Sequence, residues 1–364
     1  MGPYTQLPMR VDSTASQKRI DHKLQTSYQL IMDKRTFIKR SVAGAVAMSA
    51  TSKISTGMAM SNVSEIQDNH PGNSVLRHKL GKTGFEVFPV VYGGIVSMRD
   101  GQDASDNYVA WAHDRGINYF DVAPTYGDAQ EKLGNSLRPY RKEVYLSCKT
   151  TQRSREEAEK EFAESLRLLH TDYFDLYQLH SLTTADDVDR AFATNGVMEM
   201  IEKEKQRGRI RKVGFSAHSQ VQALRAMSMY DFDTVMFPIN WQMDMLAGWG
   251  SGVANDAKQR GMGVIALKGL VHRRWLNDEE RKSYPKSWVK PIDVDNRELG
   301  IAALKYTFQA GADVIVPPGD FRHFAFCVDH IGEIADKPLT SMEKKLLDNE
   351  FLAVKEYPFF DPKA

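Results

Sequence analysis

The stretches Val144-Tyr-Leu-Ser-Cys-Lys149 and Phe174-Asp-Leu-Tyr-Gln-Leu-His180, with residues 154–170 between them, decide the fold of this chain. The two quoted stretches are short and largely apolar, which is typical of strands buried on both faces of a sheet. The intervening residues have helical spacing and begin with Ser154-Arg-Glu-Glu157, a capping-box pattern. Two strands joined by a helix in this way predict a parallel β–α–β unit.

The same alternation extends in both directions through residues 75–364. Strands are predicted at 88–92, 118–121, 144–149, 174–180, 213–216, 234–240, 263–268 and 314–317. Helices are predicted near 105–115, 130–138, 154–170, 197–207, 219–229, 251–260, 296–309 and 321–332. This pattern predicts an α/β fold, a (β/α)8 TIM barrel, preceded by a β-hairpin around Gly81-Lys-Thr-Gly84. An open doubly wound sheet is the alternative, but its Gly-x-Gly-x-x-Gly fingerprint is missing after the first strand.

The residues before the barrel divide into three segments. Residues 1–31 are a polar extension, which we interpret as lying upstream of a translation start at Met32. Residues 32–60 contain a basic stretch and then small and apolar residues, the layout of an export signal. Their Lys34-Arg35-Thr-Phe-Ile-Lys39 stretch resembles a twin-arginine signal, with lysine in place of the first arginine. We therefore expect export to the periplasm by that machinery, followed by a linker at 61–74; a basic tail on a cytoplasmic protein is the alternative.

Composition excludes several classes of partner and cofactor. The 364 residues carry a formal net charge of +1, so no general electrostatic attraction to nucleic acid is expected. No apolar run reaches the ~20 residues of an ordinary membrane span. The only cysteines, Cys148 and Cys327, are too few for a four-cysteine zinc site or iron–sulfur cluster. We expect them to be buried free thiols, with one disulfide between them as the alternative, and no metal site is predicted.

Polar residues stand at the ends of consecutive predicted strands, where the active sites of such barrels lie. Asp121 ends the second strand, Lys149 the third and His180 the fourth, and Tyr126 follows Asp121 in a loop. A lysine cation lowers the pKa of a neighbouring phenol, and an aspartate keeps that lysine charged. A tyrosine tuned in this way can donate a proton to a carbonyl oxygen. A neutral histidine can orient that carbonyl by a hydrogen bond.

These residues lie in motifs that resemble the aldo-keto reductase family. The motifs are Asn118-Tyr-Phe-Asp-Val-Ala-Pro-Thr-Tyr-Gly127, Leu146-Ser-Cys-Lys149, Asp172-Tyr-Phe-Asp-Leu-Tyr-Gln-Leu-His180 and Gly208-Arg-Ile-Arg-Lys-Val-Gly-Phe-Ser216. The resemblance covers roughly residues 75–335 and implies a (β/α)8 barrel. It also implies a nicotinamide-dependent oxidoreductase with a catalytic tetrad of Asp121, Tyr126, Lys149 and His180. Tyr126 is then the general acid and base that interconverts a carbonyl and its alcohol.

The resemblance also implies a set of cofactor-binding residues. They are Ser216, Asn240, Lys268, Leu270, Pro318, Gly319 and Arg322. The chain departs from the family pattern at Ala217, Met236 and Leu267, where an asparagine, a glutamine and an aromatic residue are usual. The resemblance favours NADP(H) as the cofactor, with NAD(H) as the alternative. Arg322 or His323 can contact the 2′-phosphate of NADP(H), and the alternative is that both residues only cap a surface helix.

The substrate is expected to be a small carbonyl compound or sugar. Aromatic side chains that can line its pocket are Tyr92, Trp241, Trp249 and Trp275. The aromatic tail Glu356-Tyr-Pro-Phe-Phe360 either covers the barrel mouth or caps its exterior. Two other functions stay open. One is a redox-silent nucleotide-binding barrel that serves as an accessory or sensory subunit. The other is an aldolase or isomerase with Lys149 as a Schiff base, which is disfavoured because Asp121 keeps that lysine protonated.

Overall fold

A computed structural model describes residues 76–360 of the protein. The predicted extension, signal and linker at 1–31, 32–60 and 61–74 lie outside these residues. The described chain starts with the predicted hairpin, in which β1 (His78–Lys79) pairs with β2 (Glu86–Val87) in antiparallel register. A 3-10 turn at Gly81–Thr83 connects the two strands.

Eight parallel strands form the wall of a barrel. They are β3 (Tyr92–Gly93), β4 (Tyr119–Asp121), β5 (Tyr145–Thr150), β6 (Phe174–Leu182), β7 (Ile210–Ala217), β8 (Thr234–Pro238), β9 (Gly263–Leu267) and β12 (Val314–Val316). Every predicted strand is therefore confirmed within a few residues. A separate antiparallel pair, β10 (Val271–Arg273) and β11 (Lys290–Pro291), is inserted between the last two wall strands.

The sheet closes on itself next to its first strand. Val90 forms a parallel bridge with Ile315, the middle residue of β12. Ile315 N donates to the Pro89 carbonyl and Val91 N donates to the Ile315 carbonyl, both at 2.9 Å. Together with the strand order, this contact confirms the predicted (β/α)8 barrel and excludes the open doubly wound sheet.

Helices follow the strands and cover the outside of the barrel. They are α1 (Gln102–Asp114), α2 (Ala129–Leu137), α3 (Arg155–Leu168), α4 (Ala185–Phe192), α5 (Val197–Gln206), α6 (Gln220–Met229), α7 (Trp241–Ala247), α8 (Ser251–Gln259), α9 (Asp278–Arg281), α10 (Arg297–Gln309), α11 (Phe321–Ile334) and α12 (Ser341–Val354). All eight predicted helices are confirmed, and α4, α7, α9 and α12 were not predicted. The missed α12 carries a local signal, since Thr340 and Glu343 form a capping box at its start.

The lower interior of the barrel is apolar and the hairpin closes it. Inward-facing residues of the wall, such as Tyr119, Leu176 and Met236, form one cluster with Leu80 and Phe85 of the hairpin. The hairpin approaches the wall so closely that a Cβ at Gly81 would lie 2.1 Å from the Gly263 backbone nitrogen. The floor is therefore packed, and side chains of the strand ends are presented only at the opposite, carboxyl face.

Three composition-based expectations concern the described residues directly. Cys148 and Cys327 are both buried and free, as predicted. Between residues 76 and 360, no helix is long and apolar enough to cross a bilayer. The same residues contain no group of three or more histidine, cysteine, aspartate or glutamate side chains arranged to hold a metal ion.

Candidate active site

Asp121 and Lys149 form an ion pair inside the upper barrel. Alternate residues of a strand face the same side, so Asp121 lies above the inward-facing Tyr119 at the end of β4. The side-chain exposure of Lys149 is 0% and that of Asp121 is 2%. The ammonium donates to the Asp121 carboxylate and, at 3.3 Å, to the Val122 carbonyl. Sequence reasoning predicted this pairing.

Two neighbouring strands hold the second oxygen of Asp121. Oδ1 accepts hydrogen bonds from Ser147 Oγ at 2.6 Å and from Gln178 Nε2 at 3.0 Å. Neither residue was predicted to belong to the site. The signal that identifies them is strand periodicity, since Ser147 lies two residues before Lys149 and Gln178 two residues before His180.

Tyr126 lies on the turn between β4 and α2, above the ion pair. The Lys149 ammonium is 5.0 Å from the centre of its ring. Burial raises the pKa of Tyr126, and the Lys149 charge opposes that rise without cancelling it. The sequence-based expectation of a lowered phenol pKa is therefore wrong for this structure, because desolvation outweighs the cation. The hydroxyl is protonated at neutral pH.

His180 joins the same group from the end of β6. Its ring meets the Tyr126 ring edge-on, with centroids 5.9 Å apart and an interplanar angle of 87°. Burial, and then the charge of Lys149, lower the pKa of His180 to about 3. The imidazole is therefore neutral, as predicted. Its Nδ1 is buried and has no hydrogen-bond partner among the described residues.

The predicted cofactor residues Ser216 and Asn240 lie at the ends of β7 and β8. Asn240 is fully buried, and its Oδ1 accepts from Met243 N at 3.0 Å at the start of α7. Its Nδ2 is buried without a partner, and so is Oε1 of Gln178. A buried amide group without a partner is costly, so each of these atoms is available to a hydrogen-bonding group of a ligand. Ser216 Oγ accepts from Ser181 N at 2.7 Å.

Lys268 directly follows β9, the seventh wall strand, and lies under the aromatic tail. Its backbone is left-handed, with φ of 60°, and burial lowers its pKa to about 8. The ammonium is 5.2 Å from the Phe360 ring and 5.9 Å from the Phe359 ring. Phe360 also contacts His218, at 5.4 Å between centroids. The tail therefore covers this side of the barrel mouth.

The predicted phosphate-binding segment leads into α11. Arg322 is half exposed, and its Nε is 3.4 Å from the carboxylate of Asp320, the N-cap residue. His323 is fully buried, and its Nε2 contacts the Ile292 carbonyl at 3.0 Å. Of these two side chains, only Arg322 reaches solvent. Gly319 is buried, and a Cβ at this position would lie 2.2 Å from an Ile95 methyl group.

Several predicted residues have a packing role in this structure. Tyr92 is fully buried, with its hydroxyl 2.7 Å from Ser97 Oγ, and Trp241 is fully buried, with Nε1 donating to the Val271 carbonyl at 2.9 Å. Neither side chain is exposed to a substrate, in contrast to the prediction. Leu270 is also buried in the core, so only its backbone is left for a ligand.

The other two predicted aromatic residues lie beside loops of the mouth. Trp249 is 2% exposed and packs on Phe237 and on Phe360 of the tail, so it is not exposed to a substrate, in contrast to the prediction. Trp275 stacks on Tyr284 within the β10–β11 insertion. Sequence reasoning missed Trp288 in the same insertion. Its ring centroid lies 6.3 Å from that of Tyr126.

Comparison with known proteins gives one family. The model of the Aldo/keto reductase family matches residues 96–315. The uncharacterized oxidoreductase YqkF of Bacillus subtilis is 30% identical over 155 residues, which are 39% of this chain and 48% of that protein. The Glycine max protein named "Probable aldo-keto reductase 1" is 25% identical over 288 residues, which cover 66% of this chain and 79% of that protein.

A solved structure has the same fold. The holo form of the aldo-keto reductase AKR11C1 from Bacillus halodurans superposes with a TM-score of 0.57 at 21% identity, covering 75% of this chain and 95% of that chain. Aldo-keto reductases are NAD(P)-dependent carbonyl oxidoreductases. The family match spans more than half of the sequence and includes the whole group of Asp121, Tyr126, Lys149 and His180. This chain belongs to the aldo/keto reductase family.

Proposed function

We propose that this protein interconverts a carbonyl compound and its alcohol, with Tyr126 as the group that moves the proton. One observation carries the proposal. A protonated phenol, a buried lysine–aspartate pair and a neutral imidazole converge at one place on the barrel rim. This arrangement can donate a proton to a carbonyl oxygen and bind that oxygen at the same time.

Each residue has a separate task in this mechanism. Tyr126 donates its proton to the carbonyl oxygen during reduction and takes it back during oxidation. Asp121 keeps Lys149 charged: burial acts to lower the pKa of Lys149, but Asp121 and then Tyr126 outweigh burial and raise it. The cation stabilises the tyrosinate that is left after the transfer. Neutral His180 donates a hydrogen bond that orients the carbonyl.

Nicotinamide supplies the redox chemistry when bound, in the balanced reaction of carbonyl, NAD(P)H and a proton to alcohol and NAD(P)⁺. Asn240 and Gln178 present the unpaired amide atoms for its carboxamide. Ser216, Lys268 and the backbone at Leu270, Pro318 and Gly319 complete the proposed cofactor site. We favour NADP(H), with Arg322 as the cation for the 2′-phosphate. Arg322→Ala should weaken binding of NADPH and leave binding of NADH unchanged.

Tyr126→Phe tests the proposal. It should lower kcat by about 10² to 10⁴ while NADPH still binds, because only the proton donor is removed. Tyr140→Phe, on the barrel exterior, is the matched control and should keep full activity. Binding of nucleotide with no turnover in the unaltered protein would favour the accessory-subunit function. The buried Met236, in place of the usual glutamine, is the observation that supports this second candidate.

Export is a separate proposal that rests on residues 32–60. The basic stretch and the small residues after it support transport by the twin-arginine machinery. Fractionation of cells that produce the full chain should place the protein in the periplasm. Lys34→Gln with Arg35→Gln should retain it in the cytoplasm, whereas Lys79→Gln, at an exposed position of the hairpin, should not. Equal distribution of all three proteins would contradict export by this signal.

A further inference from the structure

We infer that Trp288 forms one wall of the substrate site and selects carbonyl compounds in which an aromatic ring adjoins the carbonyl group. This inference rests on the proposed function, since it names the substrate class of the same site. It starts from an unusual exposure. Trp288 is 58% exposed, although large apolar side chains are usually covered.

The segment that carries Trp288 is fixed on both sides of it. Lys286 Nζ donates to the Val96 carbonyl at 2.8 Å and to Asp100 Oδ2 at 2.6 Å, in the loop after β3. Ser287 is buried, and its Oγ donates to the Val289 carbonyl at 2.6 Å. We call residues 284–289 the strap, because they reach from the β10–β11 insertion to the loop after β3.

A second contact holds the strap from the loop after β12. Gly319 lies so close that a Cβ there would be 3.0 Å from the Lys286 carbonyl oxygen. At the other end, Tyr284 is buried and donates to Asp293 Oδ2 at 2.7 Å. The exposed indole therefore projects from a segment whose neighbours are held in place, and its exposure does not come from an unattached loop.

The indole is next to the proton donor. The rings of Trp288 and Tyr126 lie 6.3 Å apart between centroids and are inclined by 49°. A carbonyl that accepts a proton from Tyr126 therefore has its substituent close to the indole. A flat ring gains offset-stacking energy on such a surface, whereas a short aliphatic chain or a polyol gains less. Binding of a planar aromatic substituent also covers the exposed indole.

The test compares three aldehydes in the full chain. Trp288→Ala should raise KM for 4-nitrobenzaldehyde about three- to tenfold, the effect of losing one aromatic contact, with kcat nearly unchanged. The values of KM for propanal and glyceraldehyde should change less than about twofold. Compared with Trp288→Ala, Trp288→Phe should restore most of the preference for 4-nitrobenzaldehyde over propanal. Leu276→Ala, another exposed position of the insertion, is the control.

A variant that removes a contact of the strap provides an independent test of the inference. Lys286→Met keeps the indole but removes its anchor, and it should reduce the preference for 4-nitrobenzaldehyde over propanal. An equal change for all three aldehydes, or no change in Trp288→Ala, would overturn the inference. If no aldehyde is turned over by the unaltered protein, the proposed function fails. In that case, the role of Trp288 is decided by measuring the binding of 4-nitrobenzaldehyde calorimetrically in the unaltered protein and in Trp288→Ala. Loss of binding in Trp288→Ala supports the inference that Trp288 forms a wall of the site, and unchanged binding overturns it.

Discussion

The carboxylate of Asp121 and the ammonium of Lys149 are paired inside the barrel, where neither side chain is more than 2% exposed. A buried ion pair gains little stability over a well-packed apolar pair, but it is costly to break. Ser147 and Gln178 bind the free oxygen of the carboxylate. These buried polar groups together keep one cation beside Tyr126, as the proposed role of Tyr126 as proton donor requires.

Asp121→Asn should destabilise the protein by about 3–5 kcal/mol, because it leaves the Lys149 charge buried and uncompensated. The double variant Asp121→Asn with Lys149→Met removes both charges and should be more stable than Asp121→Asn alone. Urea unfolding of the two variants and the parent measures this difference. Additive destabilisation in the double variant would show that the two charges do not depend on each other.

Acid should destabilise the fold through His180 and His218. Burial lowers the pKa of both to about 3, assisted by Lys149 for His180 and by Lys268 for His218. Their stabilising contribution is complete above the unfolded value of about 6.5 and is lost as the pH falls, because only the unfolded state takes up the protons. For each of the two histidines, the free energy of unfolding should fall by about 1.4 kcal/mol per pH unit as the pH drops from roughly 6 to 4.

Urea midpoints at pH 7, 6 and 5 measure this acid sensitivity. His218→Gln should reduce the slope relative to the parent, since it removes one of the two titrating groups. His113→Gln is the control, because His113 lies at the surface beside Glu143. Parallel slopes for His218→Gln and the parent would contradict the prediction.

Cofactor affinity should fall as the pH rises through about 8, the pKa to which burial lowers Lys268. In the proposed cofactor site, loss of the Lys268 charge removes its attraction for the anionic cofactor. Lys268→Met should weaken NADPH binding about ten- to a hundredfold at pH 7 and abolish the pH dependence. Fluorescence titration from pH 7 to 9 measures both effects, with the exposed Lys282→Met as control. Identical titrations for Lys268→Met and the parent would show that Lys268 does not contribute to cofactor binding.

The hairpin should be intolerant of any side chain at Gly81. Its φ is 49°, and a Cβ would meet the backbone of Gly263 at 2.1 Å. Gly81→Ala should therefore destabilise the protein by more than about 2 kcal/mol. Gly332→Ala, where a Cβ meets nothing within 4 Å inside α11, should instead stabilise it by about 0.5–1 kcal/mol. Thermal melting compares the two, and a similar loss in both would contradict a specific hairpin contact.

The sequence by itself determined the barrel and the polar residues at its carboxyl rim. Both follow from local patterns, because a strand buried on both faces is apolar over a few residues and its polar end marks the carboxyl rim. The selection of Asp121, Tyr126, Lys149 and His180 among those rim residues came from the resemblance to the aldo-keto reductase family. The direction of side chains along a strand can also be predicted from the sequence, since alternation along β6 places Gln178 and His180 on one face. The expectation of buried free cysteines came from composition, because the chain has only two cysteines.

Only the tertiary structure decided which aromatic side chains are exposed beside Tyr126 and in which direction the Tyr126 pKa moves. Tyr92 and Trp241 are packed in the interior, whereas Trp288 lies exposed beside Tyr126. The strap that holds Trp288 depends on a contact between Lys286 and Asp100, which are 186 residues apart. Burial and long-range contacts arise from how loops meet over the rim, and no local periodicity encodes either of them.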